Sequence, residues 1–233
     1  MNHDMCDPGW AGLHVALRLP DTVSLQGLCW HGDDAPCCAA EPLPGALLQA
    51  APRRQTQFRA GRHCARLALA RAGAGAHAPA MGSDGLPVWP DGWVGSISHT
   101  MGKAVALVAP GSAVAAVGVD VELWLPADRA AEIADAVALP ADIAALAAGT
   151  GRSGADAVTL LFSAKESLYK TLYPTVRRFH DFDAARLAAC GPDHVDLVLT
   201  CDWHAQWPAD TVFRLTFATG PTWVITSLCV PRA

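Results

Sequence analysis

Several protein classes leave no mark on this chain. Its eight cysteines form no C-x-x-C pair and keep no regular spacing, which argues against both a zinc knuckle and a disulfide framework. Cys64 falls in an apolar helical stretch and Cys229 in a strand-like one. Both are expected to be free thiols acting as small hydrophobes, which fits a reducing, cytoplasmic setting. His3, Cys6, His14 and His31 have no recognised metal-ligand spacing. Basic charge is in deficit, with 17 Lys and Arg against 22 Asp and Glu and a net charge of −5, so nucleic acid is not an expected partner. No basic n-region or apolar h-region accompanies Asp4, Asp7 and Pro8, so no signal peptide is expected. The longest uncharged run, Ala104 to Asp120, is broken by Pro110-Gly111-Ser112. Two buried strands and a turn explain it, not a membrane span. The Gly/Ala-rich stretch 72–85 holds neither G-x-G-x-x-G nor G-K-[ST], and no internal repeat is visible.

What is present is a core and a charged constellation. A 52% hydrophobic composition over 233 residues supplies one large domain or two small ones. Val117-Gly118-Val119-Asp120-Val121-Glu122 has the alternation of a strand, with Val119 and Val121 facing a core and Asp120 and Glu122 facing the other way. A rise of about 3.3 Å per residue sets the two carboxylates roughly 6 to 7 Å apart at Cβ, within reach of one hard cation. Downstream, Leu161, Leu168 and Leu172 mark a helix. Glu166 and Lys170 sit one turn apart on it, and Lys165 falls inside the apolar stripe, where an ammonium needs an anion. Together these residues suggest a metal site facing a phosphorylated ligand.

The remaining chain gives mostly scaffold. Leu13–Leu19 and Val23–Trp30 read as strands. A helix is expected from about Arg53 to Ala72, ended by Gly73 and Gly75, with Arg53, Arg59 and Arg71 solvated and Arg54 and Arg62 bordering its apolar face. Leu86 to Pro90 reads as an extended approach to a short strand ending in Ser98 and His99, a usual place for ligand contacts. A turn at Met101-Gly102-Lys103 and a second strand, 104–109, follow. Ala-rich helices are expected at 128–139 and 141–148, with Gly149-Thr150-Gly151 between them and the helix of Lys165. Alternating strands at 194–201, 211–219 and 223–230 predict an antiparallel meander. The fold class is therefore α+β, with helix followed by strands in both halves.

Four stretches carry a resemblance to a known family. These are RRQTQFRAGRHCAR (53–66), VWPDGWVGSISHT (88–100), GVDVE (118–122) and FSAKESLYK (162–170). In this order they resemble the 4'-phosphopantetheinyl transferases, specifically the long single-chain kind serving peptide synthetases, polyketide synthases and siderophore assembly. The resemblance covers about residues 50–175. It implies two similar α/β subdomains with pseudo-twofold symmetry: 1–115, making the coenzyme A nucleotide contacts, and 116–233, holding the metal site and the catalytic helix. It also implies transfer of phosphopantetheine from coenzyme A to a serine of an apo acyl or peptidyl carrier protein by a monomeric enzyme. Asp120, Glu122 and Glu166 match the carboxylates that hold Mg2+ (or Mn2+) against the diphosphate. Lys170 matches the lysine at the leaving phosphate and Lys165 its companion, while Glu166 is also the expected general base, directly or through a metal-bound water. Arg54, Arg62 and His99 match contacts to the adenosine bisphosphate portion. One departure stands out, because members commonly place a lysine or arginine two or three residues before Pro87, where Asp84 and Gly85 stand here. Either another basic residue substitutes, Arg53 and Lys103 being candidates, or the 3'-phosphate is held less tightly. The D-x-E with a downstream K-E leaves open a metal-dependent phosphodiesterase or nuclease, and the departure leaves open a weakened carrier-binding protein of the same fold.

Overall fold

The computed structural model describes Trp10, residues 12–32 and residues 35–232. The expectations on His3, Asp4, Cys6, Asp7 and Pro8 lie outside the described residues.

Two antiparallel sheets, each covered by one long helix, make up the molecule. The first unit holds β1 (Ser24–Cys29), helix α2 (Pro52–Arg71), β4 (Trp93–Thr100) and β5 (Lys103–Pro110), in sheet order β1-β5-β4. A short ribbon of β2 (Ala80–Met81) and β3 (Pro87–Val88) precedes β4. The second unit holds β6 (Val114–Leu123), α3 (Ala127–Val137), α4 (Pro140–Thr150), α5 (Gly154–Val176), β7 (Ala185–Cys190), β8 (His194–Leu199), β9 (Val212–Thr219) and β10 (Trp223–Pro231), in sheet order β6-β10-β9-β8-β7. A helical turn, α1 (Leu13–Ala16), lies near the start of the chain.

Leu13–Leu19 is thus a helical turn and not the expected strand. Leu13 and Leu17, four apart, are both buried while Val15 between them is 79% exposed, a helical and not a two-residue period. Gly12 enters the turn at φ 85. The carboxy-terminal meander is as expected, with β7 added at its far edge.

Helix α2 begins with Pro52 at its first turn, where a missing N–H costs nothing. It ends in a Schellman closure: Ala74 N–H donates to Leu69 O (2.9 Å), Gly73 N–H to Ala70 O (3.2 Å), and Gly73 takes φ 82. β5 is buried on both faces. Ala104, Ala106 and Val108 pack under α2, while Val105, Leu107 and Ala109 join Val119, Val121 and Ile225 in a core shared by the two units. The chain crosses from one sheet to the other at the 111–113 turn, so β5 and β6, consecutive in sequence, belong to different sheets.

This leaves β4 and β6 as facing sheet edges. Serine hydroxyls join them in place of backbone pairing: Val119 N–H donates to Ser96 Oγ (3.1 Å) and Val121 N–H to Ser98 Oγ (3.3 Å). Alternate residues of a strand turn their N–H groups to one edge, so a serine at every second position of β4 meets them in register. Above this seam α5 lies tight on β6. A Cβ added at Gly118 would stand 2.1 Å from Thr171 Oγ1 and 2.2 Å from Ser167 O. Thr226, Ser163 and Ser167 complete the contact as a buried hydroxyl cluster between α5 and β10.

Candidate active site

The seam between β4 and β6 gathers most of the residues singled out from sequence. Asp120, 1% exposed, accepts through Oδ1 from Ser98 Oγ (2.8 Å) and from Lys170 Nζ (2.5 Å). Lys170 also donates to Ser98 Oγ at 3.0 Å. Glu122, next along the same face, accepts a longer contact from Thr100 Oγ1 at 3.4 Å. Ser98, Thr100, Asp120, Glu122, Glu166 and Lys170 therefore share one side of the seam. His99, on the opposite face of β4, turns toward α2, where Arg54 Nη1 meets its Nε2 at 3.0 Å.

The electrostatics show where charge is uncompensated. Burial, then Asp120 beside it, pushes Glu122 up to about 8. Burial also raises Glu166, with Lys170 opposing and Asp120 adding to the rise. Asp120 Oδ2 is buried without a partner. A hard cation among these oxygens would complete Oδ2 and reverse both shifts, and an all-carboxylate donor set suits Mg2+ better than Zn2+. The three carboxylates are not assembled as a ready-made cluster, however; among the described residues no three acidic, His or Cys groups are gathered to hold a metal. Asp120 and Glu122 stand side by side on β6, and the charge of Glu166 acts on Glu122 as that of Asp120 acts on Glu166. Lys170, on Asp120 Oδ1, supplies the positive charge there.

Lys165 departs from expectation. It is 5% exposed, but its ammonium donates to Val137 O (2.7 Å) and Phe182 O (2.8 Å), away from Asp120. Two carbonyl dipoles, with Asp142 and Asp183 at longer range, do the work expected of an anion, and burial pulls its pKa down to about 8. Sequence placed it correctly on the buried stripe; which elements close over that stripe is a tertiary matter.

On α2 the arginines separate by surroundings. Arg62 is 6% exposed, its Nε is buried without a partner, and its guanidinium lies 4.7 Å from the centre of the Phe58 ring. Desolvation lowers its pKa to about 10. An arginine so placed is a poised anion donor. Arg59, expected to be solvated, instead donates to Glu41 O at 3.2 Å. Arg66, which sequence did not single out, pairs with buried Glu41 at 2.7 Å. A buried Glu41 facing a basic helix was the available signal.

His99 is held neutral: burial foremost, then Arg54 and Lys170, pull it to about 4. An unfolded histidine titrates near 6.5, so between pH 4 and 6.5 the unfolded chain binds more protons. The stability it contributes is complete above pH 6.5 and is lost as pH falls toward 4. Denaturant unfolding at pH 7.5 and 5.0 should therefore show a larger loss for the wild type than for His99→Gln.

The acid at the departure is also accounted for. Asp84 Oδ1 accepts from Leu86 N–H (3.0 Å) and its Oδ2 accepts from Arg177 Nη1. Of the two suggested substitutes, Lys103 donates through Nζ to Cys29 Sγ at 3.2 Å, and Arg53 is exposed on the first turn of α2.

Comparison with known proteins shows the family. Residues 44–109 match the model of the 4'-phosphopantetheinyl transferase N-terminal domain, and residues 116–212 that of the 4'-phosphopantetheinyl transferase superfamily. The chain is 35% identical over 180 residues to 4'-phosphopantetheinyl transferase PptT of Mycobacterium tuberculosis, covering 76% of this chain and 77% of that one. The chain belongs to the 4'-phosphopantetheinyl transferase superfamily. It is also 36% identical over 178 residues to 4'-phosphopantetheinyl transferase Svp of Streptomyces mobaraensis, covering 75% and 71% of the two chains. Enterobactin synthase component D of Salmonella typhi is 33% identical over 179 residues, covering 77% and 74%. The superfamily's two matched regions meet in this chain at the start of β6, so the seam of the candidate site is also the junction between them.

Proposed function

We propose that this protein transfers 4'-phosphopantetheine from coenzyme A to a serine of an apo acyl or peptidyl carrier protein, releasing adenosine 3',5'-bisphosphate. The observation that carries this reading is Asp120 at the seam: one oxygen neutralised by Lys170, the other buried and unpartnered, with Glu122 beside it and Glu166 a helical turn from Lys170.

In this reading residues 1–115 supply the nucleotide side and 116–233 the reacting centre. Arg54, Arg62 and neutral His99 receive the adenosine bisphosphate portion, Arg62 through a donor that has no protein partner. Asp120 and Glu122, with Glu166 from the facing helix, would hold Mg2+, which when bound draws charge off the diphosphate oxygens. Ser98 fixes Asp120 and Lys170 together. The serine hydroxyl attacks the pantetheine-side phosphorus, the bond from that phosphorus to the bridging oxygen breaks, and negative charge develops on the departing phosphate. Lys170 stabilises or protonates that phosphate. Glu166 takes the serine proton, directly or through a water. Lys165, bound to two carbonyls, anchors α5 and takes no part in phosphate contact. No helix of the described residues is long and apolar enough to cross a membrane, and we propose a cytoplasmic monomer.

The test incubates the purified protein with coenzyme A, Mg2+ and an apo carrier domain and weighs the carrier by mass spectrometry. One phosphopantetheine increment is expected, and chelation of divalent cations should suppress it. Cleavage of coenzyme A with no gain in carrier mass would favour the phosphodiesterase instead.

A further inference from the structure

We propose that Cys29 and Lys103 form an oxidative modification site, at which hydrogen peroxide joins the Cys29 sulfur to the Lys103 side-chain nitrogen in a reversible S–N bond. The assignment is independent of the transferase reading.

The two residues stand 74 positions apart but are direct cross-strand partners, because β1 pairs antiparallel with β5 in a register that sets Cys29 opposite Lys103. Beside them Trp30 N–H donates to Gly102 O at 2.9 Å and fastens the ladder. Side chains directly opposite on such a pair share one face with Cβ atoms about 5 Å apart, so backbone register itself brings amine and sulfur together. Lys103 Nζ donates to Cys29 Sγ at 3.2 Å, and Trp10 Nε1 donates to the same sulfur at 3.0 Å. Trp10 in turn stacks on Trp223 at 5.9 Å, and Lys103 Nζ lies 5.9 Å from a Trp223 ring centre. Sulfur and ammonium are thus held against one aromatic pair.

Surroundings separate this thiol from its neighbours. Cys38, Cys64 and Cys190 each donate their S–H to a backbone carbonyl, of Ala35, Ala104 and Ala145. Burial pushes Cys38 and Cys229 up to about 12, which keeps them protonated and inert. Cys29 is half-buried, and its sulfur receives two N–H donors. A lysine beside a thiol is one of the settings in which cysteines react.

The chemistry balances in two steps. Peroxide oxidises the thiol by two electrons, Cys–SH and H2O2 giving Cys–SOH and H2O. A sulfenic acid condenses with a nitrogen in reach. The Lys103 nitrogen attacks sulfur, the S–O bond breaks, and the ammonium gives one proton to the leaving hydroxide, which departs as water, and one to solvent. An external thiol reverses the link, taking the sulfur into a mixed disulfide and returning the amine.

Peptide mass spectrometry tests this on the full chain, treated with hydrogen peroxide and digested without thiol. The expected product joins the peptides of Cys29 and Lys103 at their summed mass less two hydrogens, and dithiothreitol separates them. Cys29→Ser and Lys103→Arg should both lack it. In Lys103→Arg, whose guanidinium keeps the charge without capturing sulfur, Cys29 should run on to sulfinic acid. Closing so long a loop should also raise the Tm of the treated wild type by roughly 5 °C or more, with no rise in either variant. A wild-type Cys29 that reaches sulfinic acid with Lys103 unmodified, or that stays reduced while exposed Cys37 is oxidised, overturns the assignment.

Discussion

Replacing Asp120 by alanine is expected to lower the kcat of phosphopantetheine transfer about a thousandfold or more, with a much smaller change in the KM for coenzyme A. The side chain has three tasks at the seam: it neutralises Lys170, receives Ser98, and offers a buried oxygen with no protein partner. Losing it removes the carboxylate best placed to hold a cation against the diphosphate and frees the lysine from its aim. A metal's stabilisation of developing charge is worth several kcal/mol, and each 1.4 kcal/mol is tenfold in rate. Arg54, Arg62 and His99 stay in place, so ground-state binding should survive and the defect should fall on kcat. Asp120→Asn keeps the shape without the charge and should be nearly as impaired. Carrier modification followed by mass spectrometry over a range of coenzyme A concentrations separates the two parameters. A kcat within tenfold of wild type would show that chemistry is centred elsewhere.

Gly118→Ala is expected to cost both fold and function. Its added carbon would stand 2.1 Å from Thr171 Oγ1, 2.2 Å from Ser167 O and 2.9 Å from Thr171 N. Thr171 could be trimmed by a rotamer change, but two of those atoms are backbone of α5, so the helix itself must lift from β6. Overpacking of this kind costs about 1–3 kcal/mol, or roughly 2–4 °C of Tm per kcal/mol in a chain of this size. The helix that lifts carries Glu166 and Lys170, so catalysis should fall further than stability alone explains. Thermal unfolding and kcat measured on one preparation test this. A Gly118→Ala protein with wild-type Tm and rate would mean the seam tolerates a separation the geometry forbids.

Much of the scaffold was readable because period is a local property. The alternation at 117–122, the leucine stripe of α5, the paired glycines after α2 and the three carboxy-terminal strands each depend on neighbours within a few residues. The misreadings share a different cause. Leu13–Leu19 is too short for its apolar residues to distinguish period two from period four. β7 alternates weakly at the sheet edge, and Arg59 and Lys165 were judged without knowing which carbonyls would close over them.

The candidate site divides the same way. Asp120 and Glu122 share a face by strand geometry, and Glu166 and Lys170 share one by helical geometry. Neither needs the rest of the molecule. That Lys170 lands on Asp120 across 50 positions, or that Arg177 finds Asp84 across 93, depends on packing contacts such as that of α5 at Gly118.

The amino-acid order alone determined the helices, most strands, the superfamily resemblance and the identity of the charged groups, because each is written in short-range spacing and residue chemistry. Tertiary structure alone decided which charges meet. It set Lys170 on Asp120, turned Lys165 to backbone carbonyls, left Asp120 Oδ2 unpartnered and held Asp84 against the end of α5. The physical reason is that burial and Coulomb energies are fixed by distances between elements remote in the chain, which no local period encodes.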